Sequence, residues 1–513
     1  MKKIGLSSLG TVLLMLGTCG SALADDNSVY IGQTGFTNSV SIDQLGESNK
    51  IGSDDISIFV SQDGSGNALT VSQTGYTNEA GATSSAGALG LLGLYQSGDN
   101  GVINITQKNT ALSGLNIIGA VSQSAPTNVS AATSNSLTIL QTDDALGGTT
   151  NTGNGEGNHV IGEIQQIQTG TGANIASISQ YDGASGGGGG NRVQLLIQEG
   201  SANQATLTQQ DSGNTIGDFR QYGTNNQTTA IQRDGTDNVI DSFQQDGEAN
   251  RALLSMTGSR NVLFSIIQRN ALLGVAGNIL TVTMGGDDNG GDGMGGLGQF
   301  QFAATKLLQV AQAQIQQLGD ENHLNFVTSA VASTNRFGFV QDGDGNALSG
   351  TVDGTENEAA VLQIGDGNRL DFTQSGDKNA IAISYRGDDN VLNVEQSGDE
   401  NAIEVTFDGA INPITRSNQN NDPALGGFTD LVLAHAGSLM PGVALQSGNL
   451  NTAKISISAG NFNKFAFSQT GDQNIINGAV TGNSNQALVV QTNAMNTAYY
   501  RQSGNNNQLI ILQ

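Results

Sequence analysis

The sequence predicts an all-β fold, a β-solenoid of stacked strand-turn-strand rungs of about 22 residues with two 11-residue arms each. Three observations predict it. First, the phrase Q-x-G-x-x-N returns every eleven residues between Gln341 and Asn412, with glycines at Gly343, Gly354, Gly365, Gly376, Gly387, Gly398 and Gly409. Second, the residues between these turns alternate with period two, the signature of a strand with one buried face. Third, glycine is abundant at 72 while proline (4) and tryptophan (none) are scarce and only 12% of residues are charged, a composition suited to paired backbones.

The first stretch, residues 1–24, reads as a secretory signal. Lys2 and Lys3 precede an apolar run, and Ala22-Leu23-Ala24 offers a small-x-small cleavage site. Leu16-Gly17-Thr18-Cys19 is a poor lipoprotein box because Thr18 precedes the cysteine. Cleavage after Ala24 would remove Cys19, leaving no thiol and hence no disulfide. The whole chain carries −26; without the +2 of the signal the remainder is about −28, a charge that disfavours nucleic acid.

Residues 25–513 read as solenoid. The phrase appears at Gln33 to Asn38, Gln44 to Asn49, Gln62 to Asn67 and Gln73 to Asn78, then loosens. Loop interruptions are expected near 79–94, 110–158, 181–192, 270–305 and 410–441. The last contains Pro413, Pro423 and Pro441, which cannot donate to a ladder. Phe300 to Leu318 is rich in helix formers yet runs straight into a phrase at Gln317, so it reads as strand. Near the end the beat resumes at Gly448, Gly460, Gly471 and Gly482, with Asn493 at a glycine position and Gly504 after it.

Within the regular block, taking Asn379, Asn390 and Asn401 as inward makes Ile381, Ile383 and Tyr385, then Leu392, Val394 and Gln396, then Ile403, Val405 and Phe407 the inward sets. The outward partners begin Ala380, Ala382 and Ser384 and are mostly small or polar. Glycine supplies the positive φ of a tight turn, and the flanking amides can bond to identical amides one rung above and below. The expected ladder residues are Gln33, Asn38, Gln44, Asn49, Gln62, Asn67, Gln73, Asn78, Gln341, Asn346, Gln363, Asn368, Gln374, Asn379, Gln396, Asn401, Gln469, Asn474, Gln502 and Asn507.

These residues resemble the curlin repeat. Gln62 to Gln73, QDGSGNALTVSQ, is a close match, and recognisable units cover about two-thirds of residues 25–513. The resemblance is to the subunits of curli, secreted amyloid fibres of Gram-negative biofilm matrix. It implies a β-solenoid that polymerises end to end with itself or related curlin-like subunits. It also implies export through an outer-membrane curli-type machinery, a place in a fimbrium or pilus-like fibre at the cell surface, and a role in adhesion. Typical curlin subunits are shorter, with about five repeats, whereas this chain has many more and nearly every arm carries the glycine.

No cofactor, metal or catalytic residue is expected, and no membrane insertion. Asp342, Asp344 and Asn346 start like a calcium loop, but Ala347 stands where the sharp-turn glycine is required. Gly285 to Gly298, with Asp287, Asp288 and Asp292, reads as a flexible loop, and His159, His323 and His435 as solvated turn residues. The acids Asp377, Asp388 and Asp399 recur on the beat as turn residues do, unlike the single carboxylate cluster of a solenoid glycosidase. The alternative to a fibre protein is a self-contained solenoid adhesin that binds a surface or polysaccharide through its loops.

Overall fold

The computed structural model describes residues 12–13, 26–52, 60–81, 93–109, 115–127, 134–145, 149–150, 158–182, 190–270, 274, 276–290, 310, 314–408, 428–458 and 460–513. The chain divides into two compact units, Met1–Arg260 and Asn261–Gln513. Each is a β-solenoid in which successive strands along the chain alternate between two parallel sheets.

In the first unit one sheet runs through Ser39–Glu47, Ala68–Tyr76, Val102–Asn109, Ser136–Ala145, Ile175–Asp182, Gln204–Gln210, Gln227–Arg233 and Arg251–Thr257. Each strand pairs in parallel with the next. The facing sheet includes Ile117–Ser124, Val160–Gln168, Arg192–Ser201, Thr215–Thr224 and Val239–Glu248. Of the signal-like segment only Val12–Leu13 is described, paired with Val40 and Ser41. In the second unit Arg369–Ser375, Val391–Ser397, Val443–Ser447, Lys464–Thr470 and Gln486–Thr492 form part of one sheet. Ala402–Asp408, Thr452–Ser458, Ile475–Thr481 and Thr497–Ser503 lie in the other.

The side-chain period of two puts one residue set inside. Ile381, Ile383, Leu392, Val394, Ile403 and Val405 are fully buried, and each such residue contributes on the order of 1.5–3 kcal/mol. The outward set departs from expectation in one arm, where Ala380, Ala382 and Ser384 are buried as well. Rungs also complement one another in volume. Gly350 faces inward between Phe326 and Phe372, and a Cβ there would run into the Phe372 ring and come within 2.9 Å of Phe326. Gly350→Ala is therefore expected to destabilise the second unit by about 1–3 kcal/mol through overpacking. Urea denaturation would measure this, and Phe372→Leu in the same chain should recover part of the loss.

The looser beat of the middle section has a physical cause. In the second sheet of the first unit the register runs Ile118, Ile161, Val193, Ile216, Ile240 and then Ala120, Glu163, Leu195, Asp218, Ser242. Gly119, Gly162, Gln194, Gly217 and Asp241 are skipped. Every one of these arms carries one extra residue at the same height, a column of stacked bulges that lengthens each rung without disturbing the core register. At the same level, between Ile51 and Val60 and between Ala80 and Leu94, two earlier arms admit longer insertions.

Several expected interruptions are narrower than the sequence suggested. The span 110–158 contains the whole of Ile117–Ser124 and Ser136–Ala145, both in the stack, and Pro126 falls just after a strand rather than within one. Within 79–94, Glu79–Ala80 is paired and Gly93–Ser97 begins; 181–192 loses its ends to Ile175–Asp182 and Arg192–Ser201; 270–305 contains Ile279–Met284. Gly285 to Gly290 is a turn of the repeat rather than a flexible loop, with Gly286 at φ 78° and Asn289 buried. Residues 291–298, Asp292 included, lie outside the described residues. Gln314–Leu318 is a strand.

The interruption at 410–441 ends in a helix, Asp430–Ala436, the one helix among the described residues. Phe428, Val432, Ala436 and Leu439 pack on Ala466 and Leu488, with Val443, Leu445, Val490 and Ile510 around them. Gln486 Oε1 accepts hydrogen bonds from the Thr429 N–H (2.9 Å) and hydroxyl (3.0 Å), fixing the helix start. The stretch from Phe428 to Leu439 is a cover over an apolar strip of the sheet; residues 410–427 lie outside the described residues.

Candidate functional site: the amide ladders

Glutamine columns run through both sheets. In the first unit each Nε2 donates to the Oε1 one rung on, from Gln44 through Gln73, Gln107, Gln141, Gln180 and Gln209 to Gln232, at 2.7–2.9 Å. The facing column runs from Gln33 through Gln62, Gln96, Gln123, Gln166, Gln198 and Gln221 to Gln245 at 2.6–3.0 Å. In the second unit Gln374, Gln396, Gln446, Gln469, Gln491 and Gln513 are linked at 2.8–3.0 Å. Gln268, Gln317 and Gln341 are linked at 2.9 and 3.1 Å. The same Nε2 also donates to a backbone carbonyl of the facing arm, Gln374 to Glu358 and Gln396 to Ala380, so each amide ties the two sheets together.

Asparagines work differently. Instead of stacking only amide on amide, each Oδ1 accepts the backbone N–H of the next asparagine. Asn379 N–H donates to Asn357 at 2.9 Å, and Asn401 N–H to Asn379 at 3.1 Å. In many rungs Nδ2 also donates to the turn-glycine carbonyl one rung on, Asn379 to Gly398 and Asn401 to Gly448, both at 2.8 Å, whereas the Nδ2 of Asn346 and of Asn368 has no hydrogen-bond partner. Asn38, Asn49 and Asn67 do the same to Gly64, Gly75 and Gly98, and Asn78, Asn346, Asn368, Asn474 and Asn507 receive the Oδ1 bond at their N–H.

Two expected ladder members are not stacked on a glutamine. Gln502 stands opposite Val480, and its Oε1 has no partner; Gln363 Oε1 also has none, although Gln341 is its strand neighbour. Gln374 Oε1, facing Val352, is the open acceptor at the start of its column. Conversely, Gln107, Gln141, Gln166, Gln180, Gln209 and Gln232 belong to the ladders but lack the glycine two residues on. Their detectable signal is the spacing of six or seven residues from an Asn, or from its replacement His159, to the Gln closing the same arm.

The turns combine two positive-φ positions. Gly343, Gly354, Gly365, Gly376, Gly387 and Gly398 have φ between 100° and 137°, and Asn493 takes such a place at 76°. Gly409 lies outside the described residues. The residue before the asparagine is left-handed in nearly every turn and is often not glycine, as with Lys378, Asp389 and Glu400 at 54–57°. Gly345 and Gly367 hold the same place at 66° and 67°. Glu400→Gly is expected to stabilise the second unit by about 0.5–1 kcal/mol, the left-handed penalty less the entropy of glycine, read as a shift in urea midpoint.

A third column lies at the residue after the glycine. Asp344, Asp366 and Asp388 each accept, through Oδ1, the N–H of the equivalent residue one rung earlier at 2.8–2.9 Å. Asp377 and Asp399 do so at the other edge, both at 2.8 Å. These acids are structural acceptors of the turn. Among the described residues no group of three or more His, Cys, Asp or Glu is arranged to hold a metal ion.

His159 corrects the sequence reading. His323 and His435 are exposed, but His159 is fully buried and occupies an asparagine position of the ladder, between Asn116 and Asn191. Its Nε2 lies 3.2 Å from the Thr142 carbonyl and 3.2 Å from Asp182 Oδ1. The sequence hid this because Asp182 is 23 residues away and meets His159 only through the stacking of rungs.

No protein-family model matches the chain, and no curated protein matches it either. Among the described residues no helix is long and apolar enough to cross a membrane.

Proposed function

We propose that this is a secreted structural protein that forms or joins extracellular, curli-like amyloid fibres serving adhesion and biofilm matrix. The observation that carries this reading is the translational identity of the ladders. The same donor and acceptor atoms recur rung after rung, so the surface that best complements a rung is another rung, in this chain or a related subunit. The resemblance to the curlin repeat adds a Gram-negative cell surface and an outer-membrane exporter. On this reading the chain has no catalytic role. The test is assembly: residues 25–513 diluted from denaturant should give thioflavin-positive fibres with a meridional reflection near 4.8 Å, the strand spacing. A soluble β-rich monomer persisting for days would overturn it.

The adhesin reading is favoured by one feature, the exposed Leu431 and Met440 on the cover segment. Deleting 410–441 would not separate the readings, because it would uncover Ala466 and Leu488. Leu431→Ser with Met440→Ser leaves the packed face intact. Lost surface binding with retained assembly would favour the adhesin.

A further inference from the structure

The outer face of one sheet in the first unit is nearly free of charge. Over seven strands, from Ala68–Tyr76 to Arg251–Thr257, its middle column reads Thr70, Asn104, Thr138, Ser177, Thr206 and Thr229 before Leu253. Thr70, Asn104, Thr138 and Thr206 are exposed, as are the apolar Ile175 (42%) and Leu253 (43%). Within the first five residues of these strands no outward position carries a carboxylate, and Arg251 is the one charged side chain, although the chain holds 45 Asp and Glu. The corresponding outward positions of the second unit include Asp371 and Glu395. Where they turn apolar, at Ala466 and Leu488, the chain covers them with the stretch from Phe428 to Leu439.

We propose that this face pairs with the same face of a second copy of the chain, sheet against sheet. A hydroxyl both donates and accepts, so a face of Ser and Thr is complementary to itself in a way that a face of one charge is not. Short side chains also lose little rotamer freedom on burial, and on stacked strands they interdigitate as in the dry interface between paired sheets. With the chain at −26, two copies repel where their acids meet, and least over a face without carboxylates. The area suffices. Seven strands about 4.8 Å apart, each offering about 20 Å of length, give roughly 700 Å² of face, or about 1,400 Å² for the pair. Stable interfaces bury roughly 1,200–2,000 Å². The exposed Ile175 and Leu253 supply apolar contact within it, and their burial favours pairing. Pairing like with like closes after two copies, so this contact is distinct from the stacking of rungs end to end.

The proposal does not rest on fibre formation, and its test uses the full chain, freshly folded, in the ultracentrifuge. At tens of micromolar protein, above the micromolar dissociation constants that interfaces of this size reach at their weakest, the parent should sediment as a dimer. Thr138→Glu with Thr229→Glu puts like charges face to face and should weaken association at least about tenfold. Thr138→Lys with Thr229→Lys should weaken it as much. A contact set only by net charge would instead tighten, because the lysines lower the repulsion between acidic chains. Asn325→Glu with Thr373→Glu, on exposed outward positions of the second unit, should change association less than about twofold. Circular dichroism checks that each variant is folded, and if one charged pair fails to fold the other reads the same face. A parent that sediments as a monomer would overturn the pairing, leaving the face to a partner other than this chain. A lysine pair that associates more tightly than the parent would overturn it too, as would a control pair that weakens association tenfold. Failure to form fibres would leave all of these readings intact.

Discussion

Gly376→Ala is expected to destabilise the second unit by more than about 3 kcal/mol. Two costs add at this position. The backbone sits at φ 104°, a region that L side chains rarely adopt. The new Cβ would also run into the carbonyl of Gly398 one rung away, the oxygen that accepts the Asn379 amide at 2.8 Å. Relief would require that bond to break or the rung spacing to open. Gly345→Ala separates the two costs, because its φ is 66° and nothing lies within 4 Å of a Cβ there. That control should lose only about 1 kcal/mol. Urea denaturation of both variants decides the matter, and equal losses would mean that stacking imposes no constraint on the turn.

Gln396→Leu should cost about 3–5 kcal/mol. It leaves the Gln446 Oε1 without its donor and removes the acceptor that Gln374 Nε2 reaches at 3.0 Å, and each buried orphan costs on the order of 1–3 kcal/mol. The facing column shows that apolar neighbours are tolerated when they are contiguous, since the buried Ile457 and Val480 follow one another there. Replacing Gln374, Gln396, Gln446, Gln469 and Gln491 together with valine should therefore cost less per residue than the single change. A fivefold multiple of the single loss would instead make each amide independent.

The glycine beat and the alternation around Asn390 and Asn401 were enough to read the solenoid, because stacking identical turns demands identical local chemistry. What the sequence concealed arises between rungs. The extra residue at Gly119, Gly162 and Gly217 blurs the eleven-residue count, yet in space it is one aligned column. The strand Ser136–Ala145 was missed because its turn has Asp143 in the glycine's place. The burial of His159 depends on Asp182 in the next rung, a proximity that no local pattern encodes. The cover formed by Val432 and Ala436 was hidden behind three prolines that mark an interruption but say nothing of where the chain returns.

The ladder has a consequence for how freely the chain can be lengthened. Gln374 and Gln396 are joined across 22 residues, while Gln396 and Gln446 make the same bond across 50. Closing the longer connection costs only about 0.7 kcal/mol more, since loop-closure entropy grows with the logarithm of length. One buried amide bond offsets that. Foreign segments can therefore enter between rungs almost free of thermodynamic penalty, which makes the fold a chassis whose decoration can change while its register is kept.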